Sequence, residues 1–173
     1  MRIELGNVQD LPAFVELLEE LGSWLWSRGV RQWAPGSNRS QLPILRHHLA
    51  SGVLLLVRRE GALAGGCIVS TKATPEWSIR AGRAAYVHKL AVSRAAAGRS
   101  LGSQLLDHAT QWASKEGLAA LRLDCWDGNS VLRSYYRAQG FSELEAVASH
   151  GYLVRLFERP CRNGLGDALQ KSR

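Results

Sequence analysis

The chain has 173 residues, of which 46% are hydrophobic and 21% are charged, and these fractions are typical of one globular domain. It contains no apolar run long enough to span a membrane and no secretion signal, which predicts a cytoplasmic protein without a membrane partner. Three scattered cysteines without metal-ligand spacing indicate a reducing compartment and no metal site. The net charge of +7 suits a polyanionic ligand, and the dispersion of the 22 basic residues disfavours nucleic acid.

The first half of the chain predicts one strand, two helices and a two-stranded hairpin. Asp10 followed by Pro12 marks a helix start, and apolar residues at helical spacing continue to Gly22. The next segment, over 23–36, is rich in tryptophan, and Glu60 with Gly61 forms a hairpin turn. The predicted boundaries are strand 2–6, helix 11–22, helix 41–50, and strands 53–59 and 62–71.

The second half predicts strands that alternate with helices, followed by a closing hairpin. Gly117 and Gly140 end the two helices of this half, as glycine does at many helix C-termini. The predicted boundaries are strand 84–92, helix 101–117, strand 118–125, helix 129–139, and strands 141–147 and 152–158.

The element order is therefore β-α-α-β-β-β-α-β-α-β-β, which indicates the α/β fold class with a mixed, open sheet and about four flanking helices. Residues 1–159 contain no internal repeat or linker, so they are predicted to form a single domain. Residues 160–173 are polar and contain glycine, and are predicted to form a loosely ordered tail.

A turn of small and basic residues joins the strand over 84–92 to the following helix. Unpaired backbone N–H groups converge at such a helix start, and the helix dipole favours negative charge there. Arg94 and Arg99 add positive charge beside the turn. The sequence therefore predicts that a pyrophosphate group binds here.

Two motifs resemble those of the GNAT superfamily of N-acetyltransferases, and the resemblance extends over about residues 2–159. The first is Ala97-Gly98-Arg99-Ser100-Leu101-Gly102, which is similar to the family's acyl-CoA loop, although Ala97 replaces Gln or Arg and Ser100 replaces glycine. The second runs from Asn129 through the pair Tyr135-Tyr136 to Gly140-Phe141. The resemblance implies a mostly antiparallel central sheet. The departures in the loop predict weaker or shifted CoA binding, because a Cβ narrows the approach to a phosphate.

The resemblance implies transfer of an acetyl group from acetyl-CoA to a primary amine by direct attack in a ternary complex. Two alternatives stay open, namely transfer of a different acyl group and a non-catalytic module that binds acyl-CoA. A basic nucleic-acid-binding module ranks third. By resemblance, the cofactor contacts these residues: Leu90, Ala91, Val92, Ala97, Gly98, Arg99, Ser100, Leu101, Gly102, Ser103, Asn129, Leu132 and Tyr135.

Two catalytic residues are predicted. By resemblance, Tyr136 gives a proton to the departing thiolate; otherwise it is a core aromatic residue of its helix. The acceptor amine must lose a proton, and His88 is the group on its strand face able to accept one near neutral pH. His88 packed inertly in the sheet, with a water chain as the proton carrier, is the other interpretation. The two-residue period of a strand predicts one shared face for these side chains: Tyr86, His88, Leu90 and Val92.

The acceptor pocket is predicted from aromatic and acidic residues. By resemblance it lies between the first two helices, where Trp26 and Trp33 form aromatic walls, unless they only pack the helices. Tyr86 and Asp124 are the other predicted substrate contacts, and Asp124 either attracts a cationic acceptor or caps the next helix. The predicted partner is a small-molecule or peptide amine, and the closing strands offer an edge for a homodimer.

Overall fold

The computed structural model describes residues 2–161, in which seven strands form one sheet in the order β1-β2-β3-β4-β5-β7-β6. Every neighbouring pair is antiparallel except β4 with β5, so the predicted mixed α/β fold is confirmed. The strands are β1 Ile3–Gly6, β2 Gly52–Arg59, β3 Ala62–Ser70, β4 Ala84–Val92, β5 Ala120–Trp126, β6 Ser142–Ser149 and β7 Tyr152–Pro160. The helices are α1 Leu11–Ser27, α2 Ser37–Ser40, α3 Leu42–Leu49, α4 Leu101–Lys115 and α5 Ser130–Ala138.

Helices cover both faces of the sheet, and each face has its own apolar core. Helices α4 and α5 cover one face, where Leu105 and Leu106 are fully buried against the strands. Helices α1 and α3 cover part of the other face through Phe14, Leu18 and Leu45. The helices are amphipathic and each buries its apolar stripe against the sheet, which places β4 at the centre of both cores.

The sheet opens between its two parallel strands. β4 and β5 are paired only from Ala84 with Ala120 to Tyr86 with Arg122, whereas β5 stays paired with β7 as far as Trp126. A bulge in β4 follows, because Gly66 pairs with Ala91 but Ile68 pairs with His88, which leaves one extra residue in β4. The strands therefore diverge into a cleft whose β4 and β5 edges have unpaired backbone groups.

The bulge corrects the predicted shared face of β4. Tyr86 and His88 lie on the α1 and α3 side of the sheet, but Leu90 and Val92 pack into the core beneath α4. The extra residue shifts the alternation of side chains by one position, and Lys89 absorbs the change with a φ of 60°. A strict two-residue period therefore fails at this position.

The structure also corrects the end of the first helix. α1 continues through Gly22 to Ser27, and a short helix, α2, was not predicted. Gly22 is buried in the helix, and a Cβ there would lie 3.1 Å from the carbonyl oxygen of Trp33. This glycine permits a close approach by the segment between α1 and α2; it does not end the helix.

The C-terminal end of the domain includes two residues that were assigned to the tail. Pro160 is the last residue of β7, and Cys161 is buried with its N–H donated to the carbonyl of Ala119. The rest of the predicted tail, 162–173, lies outside the described residues. Within residues 2–161, no helix combines the length and apolar character needed to cross a membrane.

Candidate active site

The connection from β4 to α4 forms a polar rim at the open end of the cleft. Gly98 and Ser100 both have left-handed backbone conformations, with φ of 76° and 57°, and both are exposed. No side chain caps the start of α4, so its first backbone N–H groups are available to an anion. The structure thus places the predicted loop where it can bind a pyrophosphate, with the exposed side chain of Arg99 beside it.

Ser100 adopts a conformation that glycine reaches without a steric penalty. A left-handed residue with a Cβ costs about 1 kcal/mol relative to the right-handed region. Ser100 therefore differs from the glycine of the family motif in two ways: its side chain is larger, and its backbone is strained.

The start of α4 touches the second half of α5 beside this rim. The hydroxyl of Tyr135 hydrogen-bonds Ser103, and a Cβ on Gly102 would lie 2.5 Å from that hydroxyl oxygen. Asn129 caps α5, since its Oδ1 accepts the N–H of Leu132 at 3.0 Å. The predicted cofactor residues of both helices are consequently brought together on one side of the cleft.

Tyr136 lies inside the core beneath α4, 4% exposed, with its ring 5.3 Å from Phe157 and 5.9 Å from Phe141 between ring centroids. Burial raises the pKa of its hydroxyl well above the usual 10. The group keeps its proton at neutral pH, as a proton donor must before the reaction.

His88 lies on the opposite side of the sheet, beside α3. Its ring stacks on His48 with centroids 3.7 Å apart, and its Nε2 lies 3.1 Å from the hydroxyl oxygen of Ser70. Burial, followed by the nearby His48, lowers the pKa of His88 to about 3. An imidazole with this pKa is neutral and weakly basic at neutral pH, so a role as the base stays a prediction.

Asp124 lies on β5 just beyond the last pair with β4, on the edge of the cleft. Burial raises the pKa of its carboxyl to about 6, with a further contribution from the charge of Glu76, while the indole of Trp77 donates a hydrogen bond to it. A carboxylate with this pKa is mostly ionised at pH 7 and accepts a proton more readily than an ordinary aspartate.

Sequence reasoning did not identify Lys89, the residue at the β4 bulge. Its Nζ donates a hydrogen bond of 2.9 Å to Oδ1 of Asn38, and lies 5.2 Å from the ring centroid of Trp33. Burial lowers its pKa to about 8, against the opposing charges of Asp124 and Glu19. Its signal in the sequence was a charged residue inside a mostly apolar strand.

The other predicted acceptor residues are divided between the cleft and the surface. Trp33 joins the cleft through Lys89, whereas Trp26 is exposed near the end of α1 with Arg31 stacked over its ring at 4.0 Å. Tyr86 is buried, and its hydroxyl accepts a hydrogen bond of 3.1 Å from Arg122. The four residues predicted to contact the acceptor therefore do not form one continuous wall.

The remaining reactive side chains give no sign of a second kind of chemistry in the cleft. Burial raises the pKa of the Cys125 thiol to about 12, so it is protonated at neutral pH. Residues 2–161 contain no group of three or more His, Cys, Asp or Glu side chains arranged to hold a metal ion.

Comparison with known proteins gives a consistent set of relatives. The family model for the acetyltransferase (GNAT) family matches residues 18–141. The curated protein named uncharacterised N-acetyltransferase YesJ, from Bacillus subtilis strain 168, is 29% identical over 157 residues, which cover 87% of this chain and 85% of the relative. A GNAT-family acetyltransferase structure from Listeria monocytogenes 4b F2365 is 24% identical, with a TM-score of 0.68 over 91% of this chain and 94% of that one. PaiA N-acetyltransferase from Thermoplasma acidophilum, solved in complex with coenzyme A, is 19% identical, with a TM-score of 0.64 over 90% and 98%.

Proposed function

Because the chain belongs to the GNAT acetyltransferase family, we propose that it transfers an acetyl group from acetyl-CoA to a primary amine by direct attack in a ternary complex. One observation carries the proposal. β4 and β5 separate after Tyr86 and Arg122, and the uncapped start of α4 lies at the end of this cleft. A linear cofactor with a pyrophosphate group at one end suits a cleft of this form.

The residues around the cleft fit acetyl-CoA, which supplies an activated acyl group on sulfur. The free N–H groups at the start of α4, together with Arg99, suit the pyrophosphate. The unpaired edge of β4 at Leu90 and Val92 suits the amide groups of the pantetheine arm, which can hydrogen-bond a strand edge. Leu132 and Tyr135 line the side formed by α5. A structural relative solved with coenzyme A supports this assignment.

Two proton transfers accompany the proposed reaction. The acceptor enters as an ammonium ion, and Asp124, with a pKa of about 6, takes its proton before attack. His88 is the second candidate for this step, and its pKa of about 3 makes it the weaker one. Tyr136 holds a proton that it can give to the departing sulfur.

Isothermal titration with CoA and desulfo-CoA at two salt concentrations tests the cofactor assignment first. We expect binding that weakens with salt, because the pyrophosphate interacts with exposed positive charge. An Arg99→Gln variant should weaken binding several-fold, while Arg59→Gln, which removes an exposed arginine paired with Glu60 in the β2–β3 hairpin, serves as the matched control. No binding to folded protein would contradict the proposal.

Transfer itself is tested by thiol release with a panel of amines. Thiol release that depends on an amine and on Tyr136 would support an acetyltransferase. CoA binding without release for any amine would favour the non-catalytic module instead. Acyl-CoA thioesters of increasing length, compared at one amine concentration, test the alternative of a different acyl group.

A further inference from the structure

Building on the proposed amine acetylation, we infer that the acceptor is of the amino-acid type, with a carboxylate beside its amine, and that Lys89 binds this carboxylate. The inference starts from the hydrogen bonding of Lys89. Its ammonium has three N–H donors, and one of them is used by Asn38. Within residues 2–161 the ammonium forms no ion pair. A half-buried cation with two donors left over has capacity for an anionic ligand.

The nearby acids do not fill this role. Glu19 lies close enough for its charge to act on Lys89, but its two oxygens accept the backbone N–H groups of Gly36 and Arg39 at 2.7 and 2.9 Å. Glu19 is therefore committed to the start of α2. Asp124 also acts on Lys89 through space without an ion pair between them. The two opposite charges therefore act on each other without direct contact.

A zwitterion complements this pair of charges. Its ammonium would lie at Asp124, where the proton is removed, and its carboxylate would lie at Lys89. Each charge of the ligand then meets the opposite charge of the protein, so neither buried group stays uncompensated. A simple alkylamine would pair with Asp124 but leave the charge of Lys89 without an anionic partner.

A dicationic acceptor is the main competitor, because Glu76 supplies a second carboxylate near Asp124. One oxygen of Glu76 is already engaged, since Ser149 donates a hydrogen bond of 2.5 Å to its Oε1. The charge of Lys89 acts on Asp124, so it opposes a second ammonium close to that carboxylate. The structure therefore favours a negative group beside the amine.

The geometry also fixes Lys89 in place for this role. Asn38 is fully buried and donates from its Nδ2 to the carbonyl of Leu18, which leaves its Oδ1 to orient the lysine. The ring of Trp33 lies beneath the ammonium. Because Asn38 and Trp33 both hold it, the side chain can bind an anion without a large loss of conformational freedom.

The test compares matched pairs that differ only in the carboxylate: alanine and ethylamine, leucine and isopentylamine, phenylalanine and phenethylamine, and lysine and cadaverine. Titration of each compound into the protein saturated with CoA measures binding independently of turnover. We expect at least one amino acid to bind about tenfold more tightly than its amine, because a charge-assisted hydrogen bond is lost with the carboxylate.

Variants at Lys89 assign the effect. Lys89→Met should reduce the ratio of amino-acid to amine affinity to near one, and Lys89→Arg should restore part of it. Lys115→Met, on the exposed end of α4, is the matched control and should leave the ratio unchanged. Unchanged CoA affinity and circular dichroism check that each variant is folded.

The outcomes separate this inference from the proposed function. Thiol release with amines but no preference for amino acids in any pair would overturn the inference and leave the acetyltransferase intact. Preferential binding of cadaverine would also overturn it, in favour of a dicationic acceptor. Binding of an amino acid through Lys89 without thiol release would support Lys89 as the carboxylate-binding residue, and would contradict both the proposed reaction and the role of the amino acid as its acceptor.

Discussion

The two sides of the cleft between β4 and β5 offer different kinds of binding group. On the α4 side, the proposed binding groups are mainly backbone N–H groups of one continuous segment, 97–103. On the α1 side they are side chains, and Lys89, Asp124, Asn38 and Trp77 come from four separate parts of the chain. Most substitutions leave a backbone N–H group in place, whereas a single substitution removes a side chain that binds a ligand. The cofactor side should therefore tolerate mutation, and the acceptor side should set specificity.

The largest effect is expected from a change at Tyr136. It tests whether the reaction depends on a single side chain on the cofactor side. Tyr136→Phe should lower kcat for thiol release by about 1000-fold, within the range for loss of a general acid. Affinity for CoA should be nearly unchanged, because the ring remains in the core. Steady-state kinetics and titration measure the two effects separately. Tyr152→Phe, at an exposed tyrosine of β7, is the control, and equal losses in both variants would contradict the assignment.

The next effect concerns stability on the acceptor side. The pKa of His88 is about 3 when folded and about 6.5 when unfolded, so the unfolded chain binds more protons between these values. Its contribution is fully present above about pH 6.5 and is lost as pH falls toward 3. We expect a loss of roughly 5 kcal/mol over this range.

Urea unfolding at several pH values measures this loss. His88→Gln should flatten the dependence, whereas His108→Gln, at an exposed position of α4, should not. An unchanged slope in His88→Gln would show that other groups cause the acid sensitivity.

A smaller effect is expected at Asp124, and its signature is a pH profile. In the wild type, kcat/KM should fall below about pH 6 as this carboxylate takes up a proton. Asp124→Asn should lower kcat/KM by about 100-fold and remove this acidic limb. If the limb persists in Asp124→Asn and disappears in His88→Gln, the histidine is the base.

The smallest effects are expected from two substitutions in the loop before α4. They test how far stability and CoA binding depend on the backbone conformation of this loop. Ser100→Gly should stabilise the protein by roughly 0.5 kcal/mol, because it relieves a left-handed conformation. It should also tighten CoA binding about twofold. Gly98→Ala places a Cβ at φ 76°, where no neighbour lies within 4 Å, and should destabilise by about 1 kcal/mol through strain alone. Thermal unfolding measures the stability of both variants, and titration measures their affinity for CoA. The two changes in stability should have opposite signs.

The cofactor side was readable in the sequence because its signals are contiguous. The loop over 97–102 and the motif from Asn129 to Phe141 each lie within one short segment, so their spacing survives without knowledge of the fold. The element order was equally accessible, since hydrophobic periodicity is a local property. Gly22 was misread because a glycine that ends a helix and one that admits a neighbouring backbone look alike in a sequence.

The acceptor side depends on contacts between distant segments, and sequence reasoning found only part of it. Asp124 was predicted to contact the substrate, but its raised pKa depends on burial in the folded chain and on the charge of Glu76, which lies in the connection from β3 to β4. Lys89 was missed because its direction depends on a bulge, and the bulge is defined only by pairing with β3. No local pattern carries that information.

The bulge in β4 lets one strand do two things: it keeps apolar residues facing the α4 core, and it places Lys89 on the α1 side of the cleft. Val87 and Leu90 both face the α4 core although three positions separate them, so the extra residue changes the phase of the strand. Lys89 can therefore vary without moving the residues that border the cofactor. Deleting it would remove the bulge and restore the regular alternation, with Leu90 still facing the α4 core and Ala91 still facing the α1 core. Lys89 is thus an insertion in β4 that adds one charged side chain to the α1 side of the cleft and keeps the pairing with β3 on both sides of it.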